Sequence, residues 1–169
     1  VRGGQGLGCA EQYGVLDQID FLVGTFGKAI ASVGGYIICD SIIRDYLINK
    51  MRPLIFSTAL PPILMAWSDF IFNKVLSMQQ QRQHLAEISQ YLQQAVIAKG
   101  FSSPSSSHII PVIVGESQAA IEKARYVQQQ GFYAMPVRPP TVPQNSSRLR
   151  ISLTSLVQKN ELQQLVEYL

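Results

Sequence analysis

The sequence predicts an α/β protein built as two units, and three observations carry that prediction. Short apolar, β-prone runs are bounded by glycine, as in Ile19-Asp20-Phe21-Leu22-Val23 and, after Gly34-Gly35, Tyr36-Ile37-Ile38-Cys39. Beyond them lie stretches with apolar residues at helical spacing. At Gln79-Gln80-Gln81-Arg82-Gln83 the composition turns polar, which places a boundary between residues 1–78 and 79–169. The 169 residues and 47% hydrophobic content suffice for one domain or two small ones with a real core.

Taken in order, residues 1–18 are glycine-rich and read as an irregular loop. They lack the spacing of a dinucleotide-binding turn, and no strand precedes them. Ile19 to Val23 has the pattern of a strand inside a parallel sheet. Asp40 or Ser41 caps a helix carrying Ile43, Tyr46 and Leu47 on one face and ending near Lys50. Arg52 to Thr58 is a short apolar segment that ends in two hydroxyls. Pro61-Pro62 opens a helix from Ile63 to about Met78, which is apolar nearly all round and therefore expected to be buried. Past the boundary, Leu85, Ile88, Leu92, Ala95 and Val96 form one helical stripe, stopped by Gly100. Strands are expected at Ile109 to Val114, Phe132 to Val137 and Leu149 to Thr154. A helix spans Ser117 to Gln130 before Gly131, and a terminal helix carries Leu162, Leu165, Val166 and Leu169. Arg138-Pro139-Pro140-Thr141-Val142-Pro143 reads as a stiff extended connection, because three prolines fix φ.

Charge excludes several classes of function. The net charge is +3 with only 15% charged residues, and no run of Lys or Arg marks a nucleic-acid or polybasic membrane surface. The apolar region from Leu54 to Trp67 is broken by Ser57, Thr58 and two prolines, too interrupted for a membrane span. Cys9 and Cys39 read as buried thiols of a reducing cytosol. With His84 and His108 the only histidines, no histidine-based metal cluster is available. The start at Val1 has neither an initiator Met nor a signal-peptide pattern, so the chain reads as part of a longer one.

Three features bear chemistry. Thr25-Phe26-Gly27-Lys28-Ala29 places a lysine in a small-residue turn after an apolar strand. Burial there would favour the neutral amine, which can attack a carbonyl and form a Schiff base. On spacing alone, a solvated loop lysine is the plainer reading. A phosphate loop is excluded, since Leu22 and Ala29 stand where a glycine and a Ser or Thr are required. Ser57, Thr58 and Thr25 are hydroxyls near turns, which can bind phosphate together with backbone N–H groups; ordinary turn hydroxyls fit as well. In the last strand Leu149, Ile151 and Leu153 alternate with Arg148, Arg150, Ser152 and Thr154. The guanidinium fork suits a carboxylate, and solvated arginines on an edge strand fit the same pattern.

Together the Thr25–Ala29 motif, Arg52-Pro53-Leu54-Ile55-Phe56-Ser57-Thr58-Ala59-Leu60-Pro61-Pro62, and Arg138 to Pro143 followed by Arg148-Leu149-Arg150 resemble the α-oxoamine synthases. These are pyridoxal-phosphate enzymes of the type I aminotransferase fold, and the resemblance spans essentially the whole chain. It implies the end of a large, mainly parallel sheet domain (1–78) and a small C-terminal α/β domain (79–169). By resemblance Lys28 is the lysine that holds pyridoxal 5'-phosphate, Thr25 bonds its phosphate, and Ser57 and Thr58 reach the phosphate of the neighbouring subunit in a homodimer. Thr141 contacts substrate and Arg150 receives the amino-acid carboxylate. The motifs resemble most the branch of biotin synthesis, a cytoplasmic acyltransferase that condenses L-alanine with a pimeloyl thioester and releases CO2. Branches using glycine and acetyl-CoA, or making autoinducers, are alternatives, as is a non-enzymatic interaction module. The family's upstream aspartate, its stacked histidine and its Asp-x-Ala-His segment have no counterpart here, so the chain alone is expected to be inactive.

Overall fold

The computed structural model describes residues 2–169. The chain divides into two compact units, one ending at Gln79 and one spanning Gln80–Leu169.

In the first unit the glycine-rich start is organised by one carboxylate. Glu11, on the short helix α1 (Cys9–Gln12), accepts the backbone N–H groups of Gln5 at 2.7 Å and Leu7 at 2.9 Å. Gly3 stands beside it at φ +85, a backbone region that favours glycine. A 3-10 turn over Leu16–Gln18 follows, so the first strand starts later than expected, as β1 (Leu22–Thr25). It pairs with β2 (Gly35–Ile38) from Leu22↔Ile38 to Thr25↔Gly35. The pairing is antiparallel, against the parallel arrangement expected of this strand. The reason is the short return through residues 26–34, since a parallel partner needs a crossover of roughly a dozen residues or more. The ribbon is tight at Gly24, where a Cβ would lie 2.3 Å from the Tyr36 ring.

Asp40 caps α2 (Ser41–Lys50) by accepting the Ile42 N–H at 2.9 Å. The segment expected to be merely apolar forms a short helix, α3 (Arg52–Ile55), with proline in its first turn. The proline-initiated helix is α4 (Pro62–Leu76). It is not buried: Ile63 is 75% exposed and Phe70 56%. Among the described residues of this unit only Ala10 is a buried apolar side chain. α4 and β2 are apolar in sequence as expected, but among the described residues of this unit no second layer buries them. Cys9 likewise is exposed and Cys39 only half-buried, rather than both buried, and both thiols are free.

The second unit has its own core. The long helix α5 (Gln79–Ala98) and α6 (Ser117–Gln129) end before Gly100 and Gly131, both at positive φ, as their composition predicts. Three antiparallel strands, β3 (Ile109–Gly115), β4 (Met135–Val137) and β5 (Ser147–Ser152), form a sheet in the order β3-β5-β4. One sheet face supplies Ile110, Val112, Leu149 and Ile151 to a core closed by Leu92, Val96 and Val127 of the helices. The helix α7 (Lys159–Glu167) adds Leu162 and Leu165, and it starts with a reciprocal cap between Gln158 and Glu161. His84 Nε2 lies 2.9 Å from the Val157 carbonyl, tying α5 to the approach of α7.

Two expectations change here. β4 is shorter than Phe132 to Val137, because the Phe132 N–H closes α6 onto Val127 O at 3.2 Å. The segment 138–143 is a turn and not an extended rod, with Thr141 N–H bonded to Arg138 O at 3.1 Å and a cis Pro139–Pro140 bond. Among the described residues no helix is long and apolar enough to cross a membrane, and no cluster of metal ligands is found.

The strand alternation makes a direct prediction. Leu149→Ala should lower unfolding free energy by about 2–5 kcal/mol, whereas Arg150→Ala, one residue on and exposed, should change it by less than about 0.5 kcal/mol. Denaturant titration of the two variants checks this, and equal losses would contradict the assignment of faces.

Candidate functional site

The loop 26–34 between β1 and β2 is closed at its base by side-chain and backbone bonds. Thr25 Oγ1 accepts the Gly27 N–H at 3.1 Å and donates to Gly34 O at 3.1 Å. Phe26 N–H reaches the same Gly34 carbonyl at 3.0 Å, and Ser32 N–H bonds Phe26 O at 2.9 Å. Nearer the tip, Ala31 N–H bonds Lys28 O at 2.9 Å, which makes the lysine the first residue of a turn. Gly34 is at φ +105, a region that favours glycine, and a Cβ there would meet Leu60 at 2.9 Å.

Lys28 is exposed on this loop. The expectation that flanking buried strands would desolvate its amine is therefore not met by this chain. β2 is exposed throughout and β1 alternates between half-buried and exposed. What the loop supplies is a fixed backbone position for an accessible primary amine, three residues from a hydroxyl held on both sides.

Ser57 and Thr58 lie on the exposed link between α3 and α4, with the Ser57 hydroxyl donating to Leu54 O at 3.1 Å. In the second unit Thr141 and Arg150 share one hairpin. Thr141 is in the β4–β5 turn, and Arg150 stands on β5 between Pro111 of β3 and Met135 of β4. β5 is thus the central strand, not an edge strand as one reading of its arginines required. Arg150 projects from the sheet face opposite Leu149 and is exposed, while Arg148 is half-buried, with its Nε–H donating to Ser146 O at 2.9 Å. The site residues therefore fall into three groups: Thr25 and Lys28 at the end of β1 and on the loop after it, Ser57 and Thr58 on the α3–α4 link, and Thr141 and Arg150 on one hairpin.

A cavity of about 890 Å³ in the first unit is lined by Thr25 and by apolar side chains that include Phe26, Ile30, Tyr36 and Ile38. Lys28, Ser57 and Thr58 do not line it. Of the candidate site residues Thr25 alone lines it, so the loop that carries Lys28, with the cavity on its Thr25 side, is the candidate site. Among lysines, Lys123 has its pKa lowered, by burial first and by the nearby Lys99 second. It belongs to the helical layer of the second unit, where it donates to the Leu169 carbonyl and lies over the Phe101 ring, a packing role.

Sequence reasoning missed two residues that hold the lysine loop. Trp67 Nε1–H donates to Ala31 O at 2.9 Å, and Ser32 and Ser68 share a hydroxyl hydrogen bond of 2.7 Å. The available signal was the single tryptophan of the chain, on an otherwise apolar helix, whose N–H needs a partner.

Residues 4–169 match the model of the family Aminotransferase class I and II. The chain is similar to the 8-amino-7-oxononanoate synthase of Haemophilus ducreyi, at 53% identity over 167 residues, covering 98% of this chain and 43% of that relative. It spans less than half the length of the first curated relatives it matches. Serine palmitoyltransferase of Sphingomonas wittichii superposes with a TM-score of 0.90 at 29% identity, covering 98% of this chain and 42% of that structure. The 8-amino-7-oxononanoate synthase structure from Francisella tularensis shares the fold, with a TM-score of 0.88 at 24% identity over 99% of this chain and 50% of that one.

The loop geometry predicts an ordering among glycine substitutions. Gly34→Ala combines positive φ with a clash on Leu60 and should cost about 1–3 kcal/mol. Gly27→Ala, whose Cβ would stand 3.4 Å from the Thr25 hydroxyl, should cost less. Melting temperatures of the two variants test the order, and a Gly34→Ala protein as stable as the parent would refute it.

Proposed function

The chain belongs to the aminotransferase class I and II family, and from that premise we propose that it is the C-terminal part of a pyridoxal-phosphate acyltransferase of the α-oxoamine synthase type. The proposed reaction condenses L-alanine with a pimeloyl thioester, with loss of CO2, to give 8-amino-7-oxononanoate in biotin synthesis. The observation that carries the reading is the exposed Lys28 amine, presented by a loop that Thr25 closes. The 53% identity to a relative of that name over nearly the whole chain supports the substrate class.

The residues present fit the cofactor. Glycine at position 27 leaves the approach to the Thr25 hydroxyl clear, since a Cβ there would sit against it. A hydroxyl has one proton to donate, and that of Thr25 now goes to Gly34 O. This carbonyl also receives the Phe26 N–H, so the hydroxyl can turn to a phosphate oxygen without leaving it unpaired. Pyridoxal phosphate, when bound, supplies an aldehyde for a lysine and a ring that takes up negative charge from a substrate's α-carbon. Lys28 would hold the cofactor through that aldehyde, and as a free amine its Nζ would take the proton from the α-carbon of alanine. Arg150 orients that carbon by gripping the carboxylate with two parallel N–H donors, and Thr141 borders the substrate. Ser57, by turning its hydroxyl from Leu54 O, and Thr58 would hold the phosphate of a second copy's site, which would make the working enzyme a homodimer. The free thiols suit the cytoplasm. Residues 1–169 by themselves are proposed not to turn over.

Arg150→Lys in the intact protein tests the clamp. Exchanging a bidentate charge-assisted pair for a point charge should raise KM for L-alanine roughly ten- to hundredfold while leaving cofactor binding unchanged. An unchanged KM would withdraw Arg150 from the site.

A further inference from the structure

The Lys28 loop is not held by its own bonds alone. Ala31 sits at φ +49, a left-handed conformation that disfavours any residue with a Cβ. Both of its backbone groups are engaged. The N–H goes to Lys28 O at 2.9 Å, inside the loop, and the C=O accepts the Trp67 indole N–H at 2.9 Å, from α4. The next loop residue, Ser32, meets the next helix residue, Ser68, at 2.7 Å, and the Ser68 hydroxyl also lies 2.8 Å from Leu64 O within the helix. Two adjacent helix residues thus grip two adjacent loop residues that lie 36 positions earlier in the chain. Leu60, just before the helix, lies against Gly34 at the other end of the loop.

We propose that Trp67 and Ser68 are positioning residues for Lys28, and that α4 is the rod that sets where the amine points. The proposal deepens the function assigned above and rests on it for the meaning of Lys28. Ala31 and Lys28 are the two ends of one hydrogen-bonded turn, so fixing the Ala31 carbonyl fixes the backbone from which the lysine projects. An exposed, four-carbon side chain has high rotamer entropy, and a stationary root removes the backbone share of that freedom. α4 begins at Pro62, four residues after Thr58, so the helix that grips the lysine loop is the one that follows the hydroxyl pair in the chain.

The test uses the intact protein without cofactor and reads amide hydrogen exchange by peptide mass spectrometry. Trp67→Phe keeps an aromatic ring and deletes the indole N–H; Ser68→Ala deletes the hydroxyl, and Ser68→Thr restores one. Loss of a single hydrogen bond should speed exchange over residues 26–34 by roughly two- to tenfold in Trp67→Phe and Ser68→Ala. Ser68→Thr should stay near the parent, and peptides from Gln80–Leu169 should not change. Pyridoxal phosphate should then bind Trp67→Phe more weakly by a similar factor. Unchanged exchange over 26–34, or equal acceleration throughout the chain, would overturn the positioning role. Failure of the parent protein to bind pyridoxal phosphate would instead remove the functional reading, leaving the exchange result to judge the latch by itself.

Discussion

The hydroxyl of Thr25 bridges the two ends of the loop that carries Lys28, accepting from Gly27 N–H and donating to Gly34 O. Most of what the first unit offers chemically depends on that closure. A loop of this length has no ladder beyond its base, and an open loop would spread the lysine over many positions. Closing it with a side chain, instead of with more strand, leaves the tip short and the amine accessible. The same hydroxyl is the one proposed above to hold the cofactor phosphate, so under that proposal one group would both shape the loop and receive the anion. The Trp67 and Ser68 contacts then fix the far side of the loop against a helix.

The two units solve different problems. The second buries Leu92, Val96, Ile110, Val112, Val127 and Leu149 almost completely and uses the opposite face of its sheet to display Arg150. Its β4–β5 hairpin gives Thr141 and Arg150 a common frame, because the turn and the strand register are set by the same ladder. The first unit buries little and leaves Ile42, Phe56 and Ile63 more than 70% exposed. So large an apolar surface belongs in contact with other protein. That agrees with a chain that spans less than half the length of its curated relatives.

Periodicity made the second unit legible. The helix stops at Gly100 and Gly131, the alternation of Leu149, Arg150 and Ile151, and the stripe of Leu162 and Leu165 all follow from local chemistry, and all appear in the structure. The errors there are of a different kind. The edge or centre position of β5 depends on pairing with β3, far away in sequence, and the turn at 138–143 depends on hydrogen bonds that proline content does not reveal. In the first unit the apolar pattern is legible in the sequence and burial is not, because hydrophobicity reports what a surface is made of and not whether a layer covers it. The antiparallel return was legible in principle from the short 26–34 link. Lys28, Thr25, Ser57, Thr58, Thr141 and Arg150 stood out through motif resemblance, whereas Trp67 and Ser68 depended on a long-range contact that the sequence does not show.

The central claim is that Lys28, and no other lysine, is the residue that carries pyridoxal phosphate. The most direct measurement is borohydride reduction of the intact protein incubated with the cofactor, followed by peptide mass spectrometry to locate the added mass. The account predicts label on Lys28 alone, and its loss in Lys28→Arg. Label spread over Lys50, Lys74 and Lys99 as well, or absent from the peptide bearing Lys28, would contradict it.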